Sequence, residues 1–258
     1  MISLAEYVRS TPFIVCAHRG ASGIAPENTL ASLQAAIDTG AMMVELDVQV
    51  TSDNALVVFH DEHLDRTTNG HGDIRECSLN DIRSLDAGSW FDVRFAGEHV
   101  PLLEEALNVI KGRVYLNIEI KPLTASEQAA RNIHAIVQAI INAGMTDHTV
   151  FASFDHHALL FIKSIDPHLR TIALNVPDDE RLPHEVAREC LADGYGCSVE
   201  ELTPERVEDC REHNIPIGVY TVNTPAELEY VIDVGVQGVV SNYPDVIMAH
   251  YRTLSITS

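Results

Sequence analysis

Residues 42–50 read MMVELDVQV and residues 115–121 read YLNIEIK. Side chains along an extended strand alternate between two faces. Glu45, Asp47 and Gln49 therefore share one face of the first segment, and Val44, Leu46, Val48 and Val50 share the other. The second segment sets Asn117, Glu119 and Lys121 opposite Leu116, Ile118 and Ile120. The apolar faces suit packing on helices, which leaves the charged faces to point into a barrel or its mouth. An exposed edge of an antiparallel sheet would show the same alternation, so the rest of the chain must decide between the two.

It favours the barrel. Short apolar segments rich in β-branched residues alternate with stretches of helical periodicity, the mark of a parallel α/β fold. Eight strands are expected: Phe13 to Ala17, Met42 to Val50, Val114 to Ile120, Thr149 to Ala152, Arg170 to Leu174, Gly194 to Ser198, Ile217 to Val222 and Gly238 to Ser241. Helices are expected at Asn28 to Thr39, Leu102 to Val109, Ser126 to Ala143, His156 to Ile165, Pro183 to Ala192, Pro204 to His213, Pro225 to Val234 and from Asp245 onward. Thr203-Pro204 and Thr224-Pro225 are cap and first-turn signals, and Gly40, Gly144 and Gly235 suit helix ends. Eight strands and 258 residues match the usual size of a single (β/α)8 TIM barrel, about 250 residues. The rhythm breaks once, between His60 and Val100, where a short extra strand at Leu56 to His60 opens a small insertion after the second strand. That piece, about residues 61–100, is too short to bury an independent core, so residues 1–258 are read as one domain.

The chain carries 17 Lys+Arg against 38 Asp+Glu, a formal charge of -21 with no basic run. This argues against a nucleic-acid partner or a membrane surface. An anionic substrate then requires local positive charge at its site, from a metal ion, Arg or Lys. The five cysteines include no CxxC pair and are read as free thiols. Neither a signal peptide nor a membrane span is legible at the N-terminus, and the cytoplasm is the expected location.

Three carboxylates brought within about 4 Å of one another repel by roughly 4 kcal/mol per pair at an effective dielectric near 20. That is comparable with the margin of folding. Either a carboxyl stays protonated or a cation sits among Glu45, Asp47 and Glu119, and an all-oxygen set suits Mg²⁺ or Ca²⁺ better than zinc. The first strand ends in AHRG, placing His18 and Arg19 beside Gly20 at a strand terminus, where barrel enzymes hold their chemistry. His60 closes ALVVFHD and is followed by Asp61. Two imidazoles can serve as general base and general acid near neutral pH.

The run HRGASGIAPENTLASLQAAIDTGAMMVELDVQVTSDNALVVFHDEHLDRTTNGHG, followed in order by VPLLEEAL, NIEIKP, FASFDHHAL, GVYTVNTPAEL and GVVSNYPDV, resembles the signature of glycerophosphodiester phosphodiesterases. The resemblance spans nearly the whole chain, and HRG, PENT, ExD, HD and ExK in sequence are specific together where each alone is weak. It implies a barrel that hydrolyses a small-molecule glycerophosphodiester, such as glycerophosphocholine or glycerophosphoethanolamine, to glycerol 3-phosphate and an alcohol. It implies His18 and His60 as the acid and base pair, in an order that the sequence does not fix, Glu45, Asp47 and Glu119 as ligands of one divalent cation, and Arg19 and Lys121 as the positive groups on the phosphate. It further implies that a free glycerol hydroxyl attacks phosphorus and that water opens the cyclic phosphate.

Two positions depart from the family pattern. Tyr220 stands where the family commonly has Trp, keeping an aromatic wall but adding a hydroxyl. Ser241-Asn242 stands where relatives often show Thr-Asp, which removes a carboxylate. In PENT, Asn28 is read as a helix-cap residue and Glu27 as a partner that orients Arg19. Two alternatives have their own requirements. A lysophospholipase D of the same fold needs an apolar groove for an acyl chain, for which Trp90, Phe91 and Phe95 of the insertion are the candidates. A barrel that binds glycerophosphodiesters without cleaving them would lack a histidine or a metal ligand, and none is missing.

Overall fold

The computed structural model of the chain describes residues 1–121 and 127–256. In chain order the elements are α1 (Leu4–Ser10), β1 (Ile14–Ala17), α2 (Leu30–Thr39), β2 (Met43–Val50), β3 (Leu56–Val58), α3 (Leu79–Arg83), α4 (Leu103–Ile110), β4 (Tyr115–Ile120), α5 (Glu127–Ala143), β5 (Thr149–Ser153), α6 (His156–Ile165), β6 (Arg170–Leu174), α7 (Pro183–Cys190), β7 (Gly194–Ser198), α8 (Pro204–Glu212), β8 (Ile217–Tyr220), α9 (Pro225–Asp233), β9 (Gly238–Ser241) and α10 (Pro244–Ile256). Eight parallel strands run in the order β1-β9-β8-β7-β6-β5-β4-β2, and the pairing of β1 with β2 closes the ring. The fold is a (β/α)8 TIM barrel. Every expected strand is present, with ends moved by at most two residues. The expected helix start at Ser126, and Pro122 of NIEIKP, lie outside the described residues.

The alternation in β2 resolves as barrel, not antiparallel edge. Val44, Leu46 and Val48 join one buried cluster with Leu33 and Ala36 of α2 and Leu103, Ala106 and Leu107 of α4. Their neighbours Glu45, Asp47 and Gln49 are buried as well, which on a closed sheet means that they point to the interior. β2 and β4 pair with Met43 opposite Tyr115, Glu45 opposite Asn117 and Asp47 opposite Glu119. Each step toward the C-terminal end of the strands adds a layer, and the layers change from apolar to charged.

β3 pairs antiparallel with β2 and leads into the insertion. That segment has a small core of its own, built from Val57, Phe59, Leu64, Ile74, Ile82, Ala87 and Val100. Trp90, Phe91 and Phe95 pack edge-on against one another, at 5.7 and 5.8 Å between ring centroids. The helix α1 has no counterpart in the sequence reading, because seven residues are too few to establish a period. Ser3 caps it, accepting the Glu6 amide at 3.3 Å, and it lies across the N-terminal end of the barrel. There Leu4 is buried with Cys16, Met43, Tyr115 and Val150, and Tyr7 stacks on Tyr115 at 4.5 Å. All five cysteines are free.

Candidate active site

The chain turns as soon as β1 ends, because Arg19 and Gly20 both take positive φ, 53° and 77°. A Cβ on Gly20 would lie 2.5 Å from the Ser32 backbone, so only glycine fits this crossing with the start of α2. The turn delivers the Arg19 backbone N–H to Glu45 Oε2 at 2.8 Å. The other oxygen of that carboxylate, Oε1, is buried without a hydrogen-bond partner.

Glu45, Asp47 and Glu119 each offer an oxygen, and the three atoms lie within 4.8 Å of one another. Burial, then the charges of Asp47 and Glu119, push the Glu45 carboxyl well above the ordinary range. Burial and Asp47 raise Glu119 in the same way. Asp47 goes the other way. Burial works against its charge, but Lys121 and Arg19 outweigh it and hold the carboxyl at about 2. Lys121 forms an ion pair with Asp47 and another, at 2.6 Å, with Glu119, so its ammonium rests on the acids. Asn28 donates to Asp47 Oδ2 at 2.8 Å, and Arg19 Nε lies 3.4 Å from the same atom. An acidic trio of two buried carboxyls and one half-buried one, with an orphaned oxygen and oxygen-only donors, fits a hard divalent cation, and the residues present match one.

The two expected imidazoles open onto this cluster. His18 and His60 both lie close enough to Asp47 to feel its charge. His18 Nδ1 is 2.6 Å from Asn242 Oδ1. Burial, and then the Arg19 guanidinium, bring its imidazole down to about 4. His60 Nδ1 lies 2.5 Å from Asp61 Oδ1. Gln49, the next inward residue of β2 after Asp47, donates to the backbone oxygens of His60 and Asp61 at 3.1 and 3.2 Å. It thereby fixes the loop that carries the second imidazole. Tyr220, at the end of β8, meets Phe154 edge-on at 6.2 Å, and burial raises its phenol strongly.

One connecting residue escaped the sequence reading. Arg66, from the insertion, holds Glu27 at 2.8 and 2.7 Å and Asp61 at 2.6 and 3.0 Å. Glu27 also accepts from Arg19 at 2.8 Å. A chain of charges thus runs from Arg19 through Glu27, Arg66 and Asp61 to His60 and ties the loops after β1 and β3 together. Charge parity was the available signal: PENT and HD each carry an acid that needs a cation nearby. Asn28 corrects the sequence expectation. Thr29 caps α2, while Asn28, at φ 57°, reaches inward to Asp47. The departure at Ser241-Asn242 also has a role, since the Asn242 amide oxygen stands against His18 Nδ1.

A second cluster, His184, Asp209 and His213, lies on the outer helices and has a structural explanation. Asp209 accepts the free backbone N–H of His184 in the first turn of α7 at 2.8 Å, and His213 stacks on His184 at 4.1 Å. It clamps α7 to α8.

Comparison with known proteins finds relatives over nearly the whole chain. Residues 18–246 match the model of the glycerophosphoryl diester phosphodiesterase family. The chain is 35% identical to a glycerophosphodiester phosphodiesterase of Caldanaerobacter subterraneus over 236 residues, covering 91% of this chain and 96% of that protein. It is 35% identical to one of Bacillus subtilis over 246 residues, 90% and 84% of the two chains. Among solved structures, an Oleispira antarctica phosphodiesterase in complex with the product sn-glycerol 3-phosphate superimposes with a TM-score of 0.88 at 31% identity, covering 95% of this chain and 99% of that one.

Proposed function

We propose a mechanism from one premise: this chain belongs to the glycerophosphoryl diester phosphodiesterase family, and it is a phosphoric diester hydrolase that cleaves glycerophosphodiesters to glycerol 3-phosphate and an alcohol with the help of a divalent metal. The observation that carries the mechanism is the asymmetry of the two imidazoles around the acidic trio. His18 is half-buried against a neutral amide oxygen and an arginine, whereas His60 is bonded to a carboxylate.

Glu45, Asp47 and Glu119 would hold the cation, Mg²⁺ or Ca²⁺, which would neutralise the trio and draw charge from the phosphoryl oxygens. Asn242 fixes the tautomer of His18 by accepting its Nδ1–H, which leaves Nε2 bare. His18 is the base, taking the proton of the glycerol hydroxyl as its oxygen attacks phosphorus. His60, with its Nδ1–H held by Asp61, donates from Nε2 to the departing alcohol oxygen as the P–O bond breaks. The roles then reverse. His60 takes a proton from water as water attacks the cyclic phosphate, and His18 returns its proton to the glycerol oxygen that leaves. Arg19 and Lys121 supply the positive charge that steadies the anionic phosphate. Tyr220 and Phe154 form the wall on the alcohol side. The five free thiols support a reducing location, the cytoplasm, and the charge of -21 supports a small substrate over nucleic acid.

The test is release of glycerol 3-phosphate from glycerophosphocholine. Activity disappears with EDTA and returns with Mg²⁺ or Ca²⁺. Absence of turnover on any glycerophosphodiester with metal restored would leave this chain a binding protein.

A further inference from the structure

TIM-barrel interiors are normally filled by layers of side chains. In this chain the layers nearest the N-terminal end leave a chamber of about 340 Å³ under α1, within the size range of small-molecule sites. Its emptiness has a specific origin. Gly218 of β8 and Gly238 of β9 stand opposite each other in register, on the inward side of their strands. A Cβ on Gly218 would come no nearer than 4.0 Å to the Gly238 oxygen, and one on Gly238 no nearer than 3.8 Å to Ile14. Neither glycine takes a positive φ. Backbone conformation and crowding therefore do not demand glycine at these places, and the absent side chains leave the space open.

The walls are apolar, with Met43, Val150, Ile172 and Val240 among them. One polar side chain faces in from the layer above: Asn117, which is 9% exposed and whose amide oxygen is buried without a hydrogen-bond partner. Leaving such a group unpaired costs about 1–3 kcal/mol, and a hydroxyl can satisfy an amide through either of its ends. The charged residues on the lining are Arg9, Arg170 and Asp193; Arg9 and Arg170 are exposed to solvent and Arg170 is paired with Asp193 at 2.7 Å, so the charge stays outside the apolar interior.

We propose that this chamber is a binding site for a small, uncharged, mostly apolar molecule with one hydroxyl group, of the class of simple phenols and short alkanols. The hydroxyl pairs with the Asn117 amide and the apolar body lies against Met43, Val150 and Ile172. The apolar body of the site lies at the N-terminal end of the barrel, and only its upper wall, Asn117, stands opposite Glu45 of the acidic trio in register; its test reads binding and not turnover.

Phenol and toluene, alike in shape and different in the hydroxyl, are titrated into protein carrying ¹³C-methyl methionine. Met43 is on the chamber wall, while Met145 is packed in the outer core. Phenol shifts the Met43 methyl resonance saturably and leaves Met145 in place. Gly218→Leu fills the chamber and abolishes the shift, with a cooperative melt showing that the variant is folded. Ile172→Phe gives the same result if Gly218→Leu does not fold. Asn117→Leu weakens phenol relative to toluene about five-fold. A Met43 resonance that does not move up to the solubility of phenol means that the chamber holds water alone and overturns the proposal. So does a shift that survives both filling variants, or a phenol-to-toluene ratio unchanged in Asn117→Leu.

Discussion

At the C-terminal end of the barrel interior the inward side chains of β2 and β4 are Asp47 and Glu119; two layers down the same strands they are Met43 and Tyr115. The upper layer gathers three carboxyls with an orphaned oxygen, and Lys121 and Arg19 offset their mutual repulsion only in part, since Glu45 and Glu119 stay raised. The lower layer buries Cys16, Met43, Tyr115 and Val150 under Leu4 and stacks Tyr7 on Tyr115. The difference shows how one pair of strands can carry opposite tasks. The base supplies burial, worth about 1.5–3 kcal/mol for each large side chain, and this offsets the electrostatic cost concentrated at the mouth. Changes at the mouth should therefore alter rate while sparing or raising stability, and changes at the base should do the reverse.

The largest effect is expected at the imidazoles. His18→Ala and His60→Ala each lower kcat about 10³-fold, but a glycerophosphodiester with a p-nitrophenol leaving group restores much of the rate to His60→Ala and little to His18→Ala. Equal rescue of both would overturn the assignment of base and acid.

Next come the acids. Glu45→Gln lowers kcat/KM about 10²-fold and removes the rise in Tm that Mg²⁺ gives the parent. It also raises the Tm of the metal-free protein, because a neutral amide replaces a carboxylate held among two others. The pH dependence has the same origin. A folded carboxyl whose pKa lies above its unfolded value stabilises the fold fully below that unfolded value, about 4.5, and the contribution fades as pH climbs through the folded value. The gap in Tm between metal-free Glu45→Gln and the metal-free parent should thus widen as pH rises, and saturating Mg²⁺ should remove that pH dependence from the parent in calorimetry.

At the base, Tyr7→Ala costs about 2 kcal/mol of stability and leaves kcat within a factor of two, read from urea unfolding beside the turnover assay. A large fall in kcat there would break the separation of the two ends. Smaller again is Arg66→Gln, which loosens the link from Glu27 to Asp61 and lowers kcat about ten-fold. The smallest is Asn242→Asp. A carboxylate in place of the amide favours charged His18, and the acidic limb of the kcat/KM profile, near pH 4 from the position of His18, moves up by about one pH unit.

Much of the barrel was legible because strand alternation and helix caps are local properties. Thr224-Pro225 caps α9 as expected, and Gly40 closes α2 at φ 86°. The short helix α1 and the reach of Asn28 were not legible. Seven residues carry too little periodicity, and a cap residue and a core-facing amide look alike in one dimension. The acids of β2 and β4 could be placed on one face by parity, but their convergence depends on which strands are neighbours and in what register.

The sequence by itself determined the eight-fold alternation, the inward acids and the order of HRG, PENT, ExD, HD and ExK, because each depends only on spacing along the chain. Tertiary structure decided which groups share a hydrogen bond. Asn242 reaches His18 across 224 positions and Arg66 reaches Glu27 across 39. It also decided that two glycines facing each other across neighbouring strands leave a hollow beneath the charges. Contacts of that separation arise only when the sheet closes, since closure alone sets the distance between residues with no local rule connecting them.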